Sequence, residues 1–128
     1  MIDHVSLQVT DIAHSRAFYQ AVLQPLGLRP DYSDGQWTGF ANSEGAPFWI
    51  GPSEGGQPRE LHIAFKADSR AVVHDFHAAA VAIGAEVLHA PRIFPEYHPD
   101  YFGCFLRDPD GHNVEAVCCL PDAEAGTT

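Results

Sequence analysis

The stretch DPDGHNVEAV, residues 108–117, places a turn directly before a run that has the pattern of a β-strand. Asp, Pro and Gly favour turns, and small apolar residues then alternate around Glu115. Adjacent residues of a strand point to opposite faces, so if Val114 and Ala116 pack against helices, the Glu115 carboxylate points to the other face. The stretch therefore predicts a strand that carries an acid on its open face.

The beginning of the chain predicts a strand, a helix and further strands. MIDHVSLQV alternates apolar and polar residues, which predicts a half-buried strand over residues 2–9. Apolar residues at helical spacing follow until Pro25, and Thr10 or Asp11 can cap that helix. Short aromatic runs separated by glycines, QWTGFA and PFWIG, then predict strands joined by tight turns.

The second half of the chain repeats the first at an offset of 58 residues that slips to 57. The alignment pairs His62 with His4 and places Glu115 opposite Trp49 at matching strand ends. We interpret the repeat as an internal duplication of a βαβββ unit. Such a unit buries one face of its sheet against its helix and leaves the other face concave, where two copies can share a site.

Length and composition predict one compact α+β domain, because 128 residues with 45% hydrophobic content supply a sizeable core. The glycine- and proline-rich segment 51–60 has no apolar period and is predicted to be a linker. It divides the expected domain, residues 1–120, into module 1 at 1–50 and module 2 at 61–120. Residues 121–128 are predicted to be a loose tail.

Charge and hydropathy argue against several classes of partner. Seventeen acidic and seven basic residues give a net charge of −10, which repels nucleic-acid phosphates and anionic membranes. The longest apolar stretch is too short to span a bilayer, and the first residues do not resemble a signal segment, so we expect a cytoplasmic protein. Cys104, Cys118 and Cys119 are an odd number without CxxC spacing, which predicts reduced thiols.

Three side chains that can bind a metal are predicted to converge: His4, His62 and Glu115. Each alone has an ordinary alternative, because a strand histidine is usually a packing residue and a strand glutamate usually faces solvent. Together, two imidazoles and one carboxylate suit Fe(II), Mn(II), Ni(II), Co(II) or Zn(II) and leave positions for substrate oxygens. Glu115 is therefore also a candidate catalytic residue.

The stretch RIFPEYHPDYFGCF, residues 92–105, predicts a loop that leads into a strand near Tyr101, because its two prolines interrupt regular pairing. Tyr97, His98 and Tyr101 are candidate catalytic residues, since such side chains hydrogen-bond a substrate or transfer a proton. The alternative is that the tyrosines pack the loop or a dimer edge while His98 meets water.

Aromatic side chains of the strands are candidates for the wall of a pocket. Trp49 and Phe105 are the substrate-binding candidates, and ordinary core packing is the alternative for both. The remaining histidines fall on predicted helices, turns and strand ends, where surface or capping roles are expected. Four cations can attract an anionic group, although the sequence does not orient them: Arg59, Lys66, Arg92 and Arg107.

These features make the chain resemble the vicinal oxygen chelate superfamily, which includes glyoxalase I, extradiol dioxygenases, fosfomycin-resistance thiol transferases, methylmalonyl-CoA epimerase and bleomycin-resistance proteins. The resemblance covers residues 1–120 and rests on IDHVSLQVTDIAHSRAFYQAVLQPLGL, HIAF and LRDPDGHNVEAV. It implies two tandem βαβββ modules that form a cup-shaped eight-stranded mixed sheet, and a homodimer that binds a small molecule. It also implies a divalent metal held by His4, His62 and Glu115.

The sequence departs from glyoxalase I at the fourth metal position, where Trp49 stands in place of a glutamate. An indole offers only an N–H donor and cannot bind a metal, so the resemblance disfavours lactoylglutathione lyase activity. A His, His, Glu set resembles that of the extradiol dioxygenases and the fosfomycin-resistance enzymes. The implied function is a metalloenzyme acting on an oxygen-chelating substrate, as a lyase, a dioxygenase or a thiol transferase.

Two other functions stay open. One is a metal-free dimer that sequesters a ligand, as bleomycin-resistance proteins do. The other is a regulatory or interaction module in which the metal site is vestigial. In a dimer, the linker at 51–60 also permits the modules to be exchanged between subunits.

Overall fold

The computed structural model describes residues 2–53, 55 and 59–122. Within these residues the chain forms two four-stranded sheets and two α-helices, which confirms the predicted α+β class and the duplicated βαβββ order. A 3₁₀ turn over Gln24–Leu26 follows the first helix. The elements are β1 Val5–Val9, α1 Ile12–Leu23, β2 Arg29–Ser33, β3 Thr38–Asn42, β4 Gly45–Pro52, β5 His62–Lys66, α2 Arg70–Ala82, β6 Glu86–Ile93, β7 Phe102–Arg107 and β8 Asn113–Cys118.

The two sheets have the same topology. The strand order is β1-β4-β3-β2 in sheet 1 and β5-β8-β7-β6 in sheet 2, and in each sheet the first strand is parallel to the last. Ser6 lies opposite Trp49 in sheet 1, and Ala64 lies opposite Glu115 in sheet 2. Because Ser6 and Ala64 are matching repeat positions, the register confirms that Trp49 and Glu115 are equivalent. β1 and β5 are edge strands of their sheets.

The first strand begins at Val5 and not at residue 2 as the alternation predicts. Ile2 is 76% exposed. Val5 lies opposite Phe48, so that the next partner back along β4 is Pro47, which has no N–H to donate to the ladder. The pairing therefore ends at Val5, and His4 stands just before the strand.

Both helices begin at a capping side chain. The Asp11 carboxylate accepts the backbone N–H of His14 at 3.1 Å, which confirms one of the two predicted caps of α1. The Ser69 hydroxyl accepts the backbone N–H of Val72 in the same way at the start of α2. After α1, Gly27 adopts a φ of 82°, a left-handed conformation that glycine accepts readily, and its N–H bonds back to Gln24.

A single apolar core joins the two modules. The helix-facing sides of both sheets contribute to it, α1 packs against α2, and the rings of Phe48 and Phe65 meet edge to face at 5.3 Å between centroids. The buried Tyr19 hydroxyl of module 1 donates to the Asp108 carboxylate of module 2 at 2.5 Å. The other face of each sheet is turned away from this core, and we call it the open face.

None of the helices within the described ranges has the length and apolar character needed to cross a bilayer. The predicted linker starts later than expected, because β4 continues through Pro52. The predicted tail falls outside the described residues except for Pro121 and Asp122.

Candidate active site

One row of side chains crosses the open face of sheet 2. Ala64, Glu115, Phe105 and His89 lie opposite one another on β5, β8, β7 and β6. Residues in register share a face of the sheet, while the two neighbours of Glu115 along β8 are buried in the core. Glu115 therefore faces away from the helices, as the sequence predicts. His62 lies two residues before Ala64 and shares this face.

The Glu115 carboxylate is fully buried and has a partner at each oxygen. Its exposed fraction is 0%. Oε1 lies 2.7 Å from Nε2 of His62, and Oε2 accepts a short hydrogen bond from the Tyr101 hydroxyl. A buried charge is costly unless it is paired and hydrogen-bonded, so these two contacts stabilise the carboxylate. The His62 side chain is 53% exposed, so the group next to the acid is open to a ligand.

Tyr101 is held as a hydrogen-bond donor. Burial, the hydrogen bond to Glu115 and the charge of that acid raise the pKa of Tyr101 above its usual range. The phenol therefore stays protonated near neutral pH and is suited to orient the carboxylate rather than to act as a base. Gly103 leaves room for this arrangement, since a Cβ there would lie 3.3 Å from the Tyr101 ring and 3.5 Å from Glu115 Oε2.

An aromatic cluster stands beside the carboxylate, and we call it the aromatic wall. The rings of Phe94 and Phe105 meet at 5.0 Å, and that of His89 lies 5.4 Å from Phe105. Tyr97 and Tyr101 extend the wall, with their centroids 5.1 Å apart. Its members are Phe94, Tyr97, Tyr101, Phe105 and His89. The Phe105 ring also lies 5.9 Å from the His62 ring, so the wall borders the His62–Glu115 pair.

The three loop residues predicted to take part in catalysis have different positions. Tyr101 contacts Glu115, as described above. Tyr97 is 64% exposed and stacks on Phe94 at 6.0 Å. Nδ1 of His98 accepts the backbone N–H of Asp100 at 3.0 Å, so this nitrogen shapes the loop.

The open face of sheet 1 is aromatic. The Trp49 ring lies over Gly39, where a Cβ would come within 2.7 Å of it, and the Trp37 ring covers Gly51 in the same way. The Trp49 indole N–H donates to the Ala46 carbonyl at 2.9 Å. Tyr32 packs beside Trp49 at 5.7 Å. Trp49 is half-buried on the face equivalent to that of Glu115, and it lines this surface with its N–H already bonded.

His4 is separate from the other two predicted metal ligands. Its Nδ1 lies 2.7 Å from the Asp3 carboxylate, and both side chains are exposed at the edge of sheet 1. In the described part of a single chain, no three His, Cys, Asp or Glu side chains are grouped so that they could hold a metal ion. The chain by itself therefore brings together His62 and Glu115.

The His62–Glu115 pair fits a divalent metal as part of its ligand set. Imidazole nitrogen and carboxylate oxygen are the usual ligands of first-row divalent ions, and here one of each converges at 2.7 Å on an accessible face. The Tyr101 hydroxyl hydrogen-bonds the second oxygen, which is the kind of outer contact that orients a ligating carboxylate.

Sequence reasoning missed three contributors to this face. The sequence predicts a surface or capping role for His89, whereas its ring packs against Phe105. The sequence does not orient Arg92 or Phe94, because β6 pairs irregularly with β7 on both sides of His89. Alternation fails at such bulges, so the sequence carries no clear signal for these positions. Pro91 on this edge strand was the one available hint of irregularity.

The fold and the carboxylate–imidazole pair define a two-module α+β protein with a candidate small-molecule site on an open sheet face. A glyoxalase/bleomycin resistance protein from Albidiferax ferrireducens is similar over 91% of this chain and 97% of its own, with 30% identity and a TM-score of 0.76. A lactoylglutathione lyase from Agrobacterium tumefaciens is 23% identical over 92% of each chain, with a TM-score of 0.68.

A glyoxalase/bleomycin resistance protein/dioxygenase family enzyme from Burkholderia phytofirmans is also similar. It is 20% identical, covers 93% of this chain and 98% of its own, and has a TM-score of 0.67. The similarities below 25% identity support the fold alone. No curated protein matches the sequence.

This chain belongs to the glyoxalase-like domain family, which matches residues 4–117. The match and the similar structures confirm the resemblance to the vicinal oxygen chelate superfamily.

Proposed function

We propose that the protein is a divalent-metal-dependent enzyme that acts on a small oxygen-chelating substrate. The observation that carries the proposal is the fully buried Glu115 carboxylate, which contacts the half-exposed His62 imidazole on an open sheet face. A buried acid without a structural cation is costly to the fold. Its retention beside an imidazole is explained most simply by a ligand that both groups bind.

We further propose that a homodimer supplies the third metal ligand. Within one chain His4 belongs to the other sheet, and both β1 and β5 are edge strands. The inward residues of β5, Ile63 and Phe65, are only half-buried, and such a strand favours association with another chain. Placing β1 of a second copy beside β5 would bring His4 of that copy toward His62 and Glu115. A two-fold dimer would then contain two such sites.

The residues of the site would have separate roles. Glu115, His62 and His4 of the second copy would hold the ion, which when bound supplies Lewis-acid chemistry to substrate oxygens. Tyr101 would keep Glu115 Oε2 hydrogen-bonded and leave Oε1 toward the ligand. Phe105 and His89 would keep water from one side of the substrate, and the exposed Tyr97 would border its entrance.

The reaction would be a lyase, dioxygenase or thiol-transferase step. Lactoylglutathione lyase activity is disfavoured, because Trp49 replaces a fourth metal ligand and its N–H is bonded to Ala46. The three free cysteines suit the cytoplasmic location that we expect.

Metal titration tests this proposal. We expect the purified full chain to bind one divalent ion per chain from a panel of Fe(II), Mn(II), Ni(II), Co(II) and Zn(II), measured by calorimetry and elemental analysis. Glu115→Gln should weaken binding by more than about 100-fold, since loss of even an outer-shell partner costs about 10- to 100-fold, and Glu86→Gln, at an exposed acid of β6 on the same sheet, should not. Loss of binding in His4→Ala at unchanged fold would support the shared site. Equal binding by the wild type and Glu115→Gln would overturn the metal role.

A metal-free ligand-sequestering dimer is the second candidate, and the aromatic open face of sheet 1 favours it. Trp37, Trp49 and Tyr32 offer a flat surface that suits an aromatic ligand. Binding that persists with a strong chelator present and in Glu115→Gln would support this function in place of the enzyme.

A further inference from the structure

We propose that the open face of sheet 2 contains an anion subsite at Arg92, so that the substrate carries a carboxylate or a similar anionic group in addition to its chelating oxygens. This inference rests on the proposed function and specifies its class of substrate. Three observations support it: the position of Arg92 beside the aromatic wall, the contacts of its guanidinium, and the positions and partners of the other cations of sheet 2.

The pairing of β6 with β7 turns Arg92 onto the same face as Glu115. Arg92 lies opposite Gly103, and Gly103 lies opposite Val117, the next residue of β8 on the face of Glu115. Residues in register share a face, so the irregularity between His89 and Arg92 brings both side chains to the site side. Without that irregularity, residues three apart on a strand would point to opposite faces.

The Arg92 guanidinium is anchored to the aromatic wall. Its Cζ lies 3.7 Å from the centroid of the Phe94 ring, and one of its nitrogens donates to the Ile93 carbonyl at 2.9 Å. Phe94 is buried and contacts both Tyr101 and Phe105. The ring therefore fixes the cation next to the residues that surround Glu115 and leaves most of its N–H donors for another acceptor.

No carboxylate of the described residues lies within 4 Å of this guanidinium, although acidic residues outnumber basic ones by 17 to seven in the chain. A stacked arginine without a counter-ion is well suited to bind a carboxylate through two parallel hydrogen bonds. An exposed arginine that merely meets water is the ordinary alternative, and the experiment below separates the two.

The other cations of sheet 2 have different partners or lie elsewhere on the sheet. Arg107 forms an ion pair with Glu60 and donates to the Gly111 carbonyl. Lys66 lies opposite Val117 at the β5 edge of this face, two strands away from the aromatic wall, and borders a cleft together with Leu26 and Val72. Of these cations, Arg92 is the one whose guanidinium lies against the aromatic wall.

The spacing limits the size of the substrate. β6 and β8 are separated by β7, so that the backbones of Arg92 and Val117 are about 10 Å apart. A flat acid of about 9 to 12 heavy atoms, on the order of a substituted benzoate, spans this distance while its ring contacts the aromatic wall. The substrate class that fits is a small unsaturated or aromatic acid with two neighbouring oxygen donors.

Matched pairs of ligands test the subsite. We would titrate the metal-loaded full chain with 3,4-dihydroxybenzoate and with 3,4-dihydroxybenzamide, which share the chelating oxygens and the ring but differ in charge. The metal-free chain would be titrated with benzoate and benzamide, followed by NMR. We expect each acid to bind at least tenfold more tightly than its amide.

Arg92→Gln should reduce that preference to less than twofold and leave the affinity for the amides unchanged. Arg16→Gln is the matched control, because it removes the same charge from α1, on the opposite face of its sheet, and should keep the preference. Equal binding of acid and amide by the wild type, or an unchanged preference in Arg92→Gln, would overturn the subsite.

The two proposals fail in different ways. Failure of the wild type to bind metal would overturn the metalloenzyme, and the benzoate and benzamide pair would still decide the role of Arg92. Metal binding that is lost in Glu115→Gln, together with no preference for the acids, would keep the metalloenzyme and overturn the subsite.

Discussion

The two modules have the same strand order and the same register, but their open faces carry different chemistry. At equivalent positions of β4 and β8, sheet 1 has Trp49 over a glycine and sheet 2 has a buried Glu115 beside an imidazole. The first strands differ in the same way, since His4 bonds the exposed Asp3 and His62 contacts Glu115. The two modules therefore share a scaffold, which the core determines, while their outward residues differ.

The turns before the last strands of the two modules also differ. In module 2, Asp108 is 4% exposed and accepts from the Tyr19 hydroxyl and from the backbone N–H groups of Asp110 and His112. In module 1, Asn42 begins an exposed turn and accepts the backbone N–H of Glu44 at 2.8 Å. The turn of module 2 thus belongs to the core, and that of module 1 belongs to the surface.

The largest expected effect is a difference in stability between variants of these two turns. Asp108→Ala should lower the free energy of unfolding by about 3 to 4 kcal/mol, because it leaves several donors unpaired in a buried site. Asn42→Ala should cost less than about 1 kcal/mol, since water can replace its bond. Urea denaturation of both variants checks the difference, and similar losses would show that the two turns are energetically equivalent.

Substitution of a glycine on each open face should lower the free energy of unfolding by a smaller amount. Gly39→Ala would place a Cβ 2.7 Å from the Trp49 ring and should cost about 2 kcal/mol, because the large ring must move. In Gly103→Ala the closest contact is 3.3 Å, so the loss should stay below about 1 kcal/mol. Urea denaturation gives the free energies, and the near-ultraviolet signal of tryptophan should change in Gly39→Ala alone. A larger loss in Gly103→Ala would contradict this order.

The smallest expected effect is a pH dependence of the bond that joins the modules. Burial, followed by the charge of Asp108, raises the pKa of Tyr19 well above its usual range. The unfolded chain then loses this proton first as pH rises above about 10, so the free energy of unfolding falls by up to about 1.4 kcal/mol per pH unit.

This contribution is fully present below about pH 10 and is lost as the pH approaches the raised pKa of folded Tyr19. Urea denaturation at about pH 9 and about pH 11 should therefore show a shallower decline in Tyr19→Phe than in the wild type. Tyr97→Phe, at an exposed position, serves as the control. Identical slopes for the wild type and Tyr19→Phe would refute the assignment.

Much of the fold followed from the sequence because its signals are local or repeated. Alternation around Glu115 predicted its outward direction, and the repeat predicted its equivalence with Trp49. The cap at Asp11 and the end of α1 before Pro25 followed from side-chain chemistry. These features depend on neighbours in the chain, which the sequence displays directly.

The site was less predictable where it depends on long-range packing. The sequence placed His4 with His62 and Glu115, but the position of one module against the other is determined by contacts such as Tyr19 with Asp108. Whether His4 joins the site of another copy stays a prediction. The orientation of Arg92 depends on irregular pairing in β6, which alternation does not reveal.

The bond between Tyr19 and Asp108 also bears on whether either half of the chain can exist alone. Module 2 without module 1 would keep a carboxylate that lacks its phenol, and module 1 alone would expose Phe48, which now meets Phe65. The two halves are therefore expected to form one cooperative folding unit, in which fragments cut within the linker are stable only when they recombine.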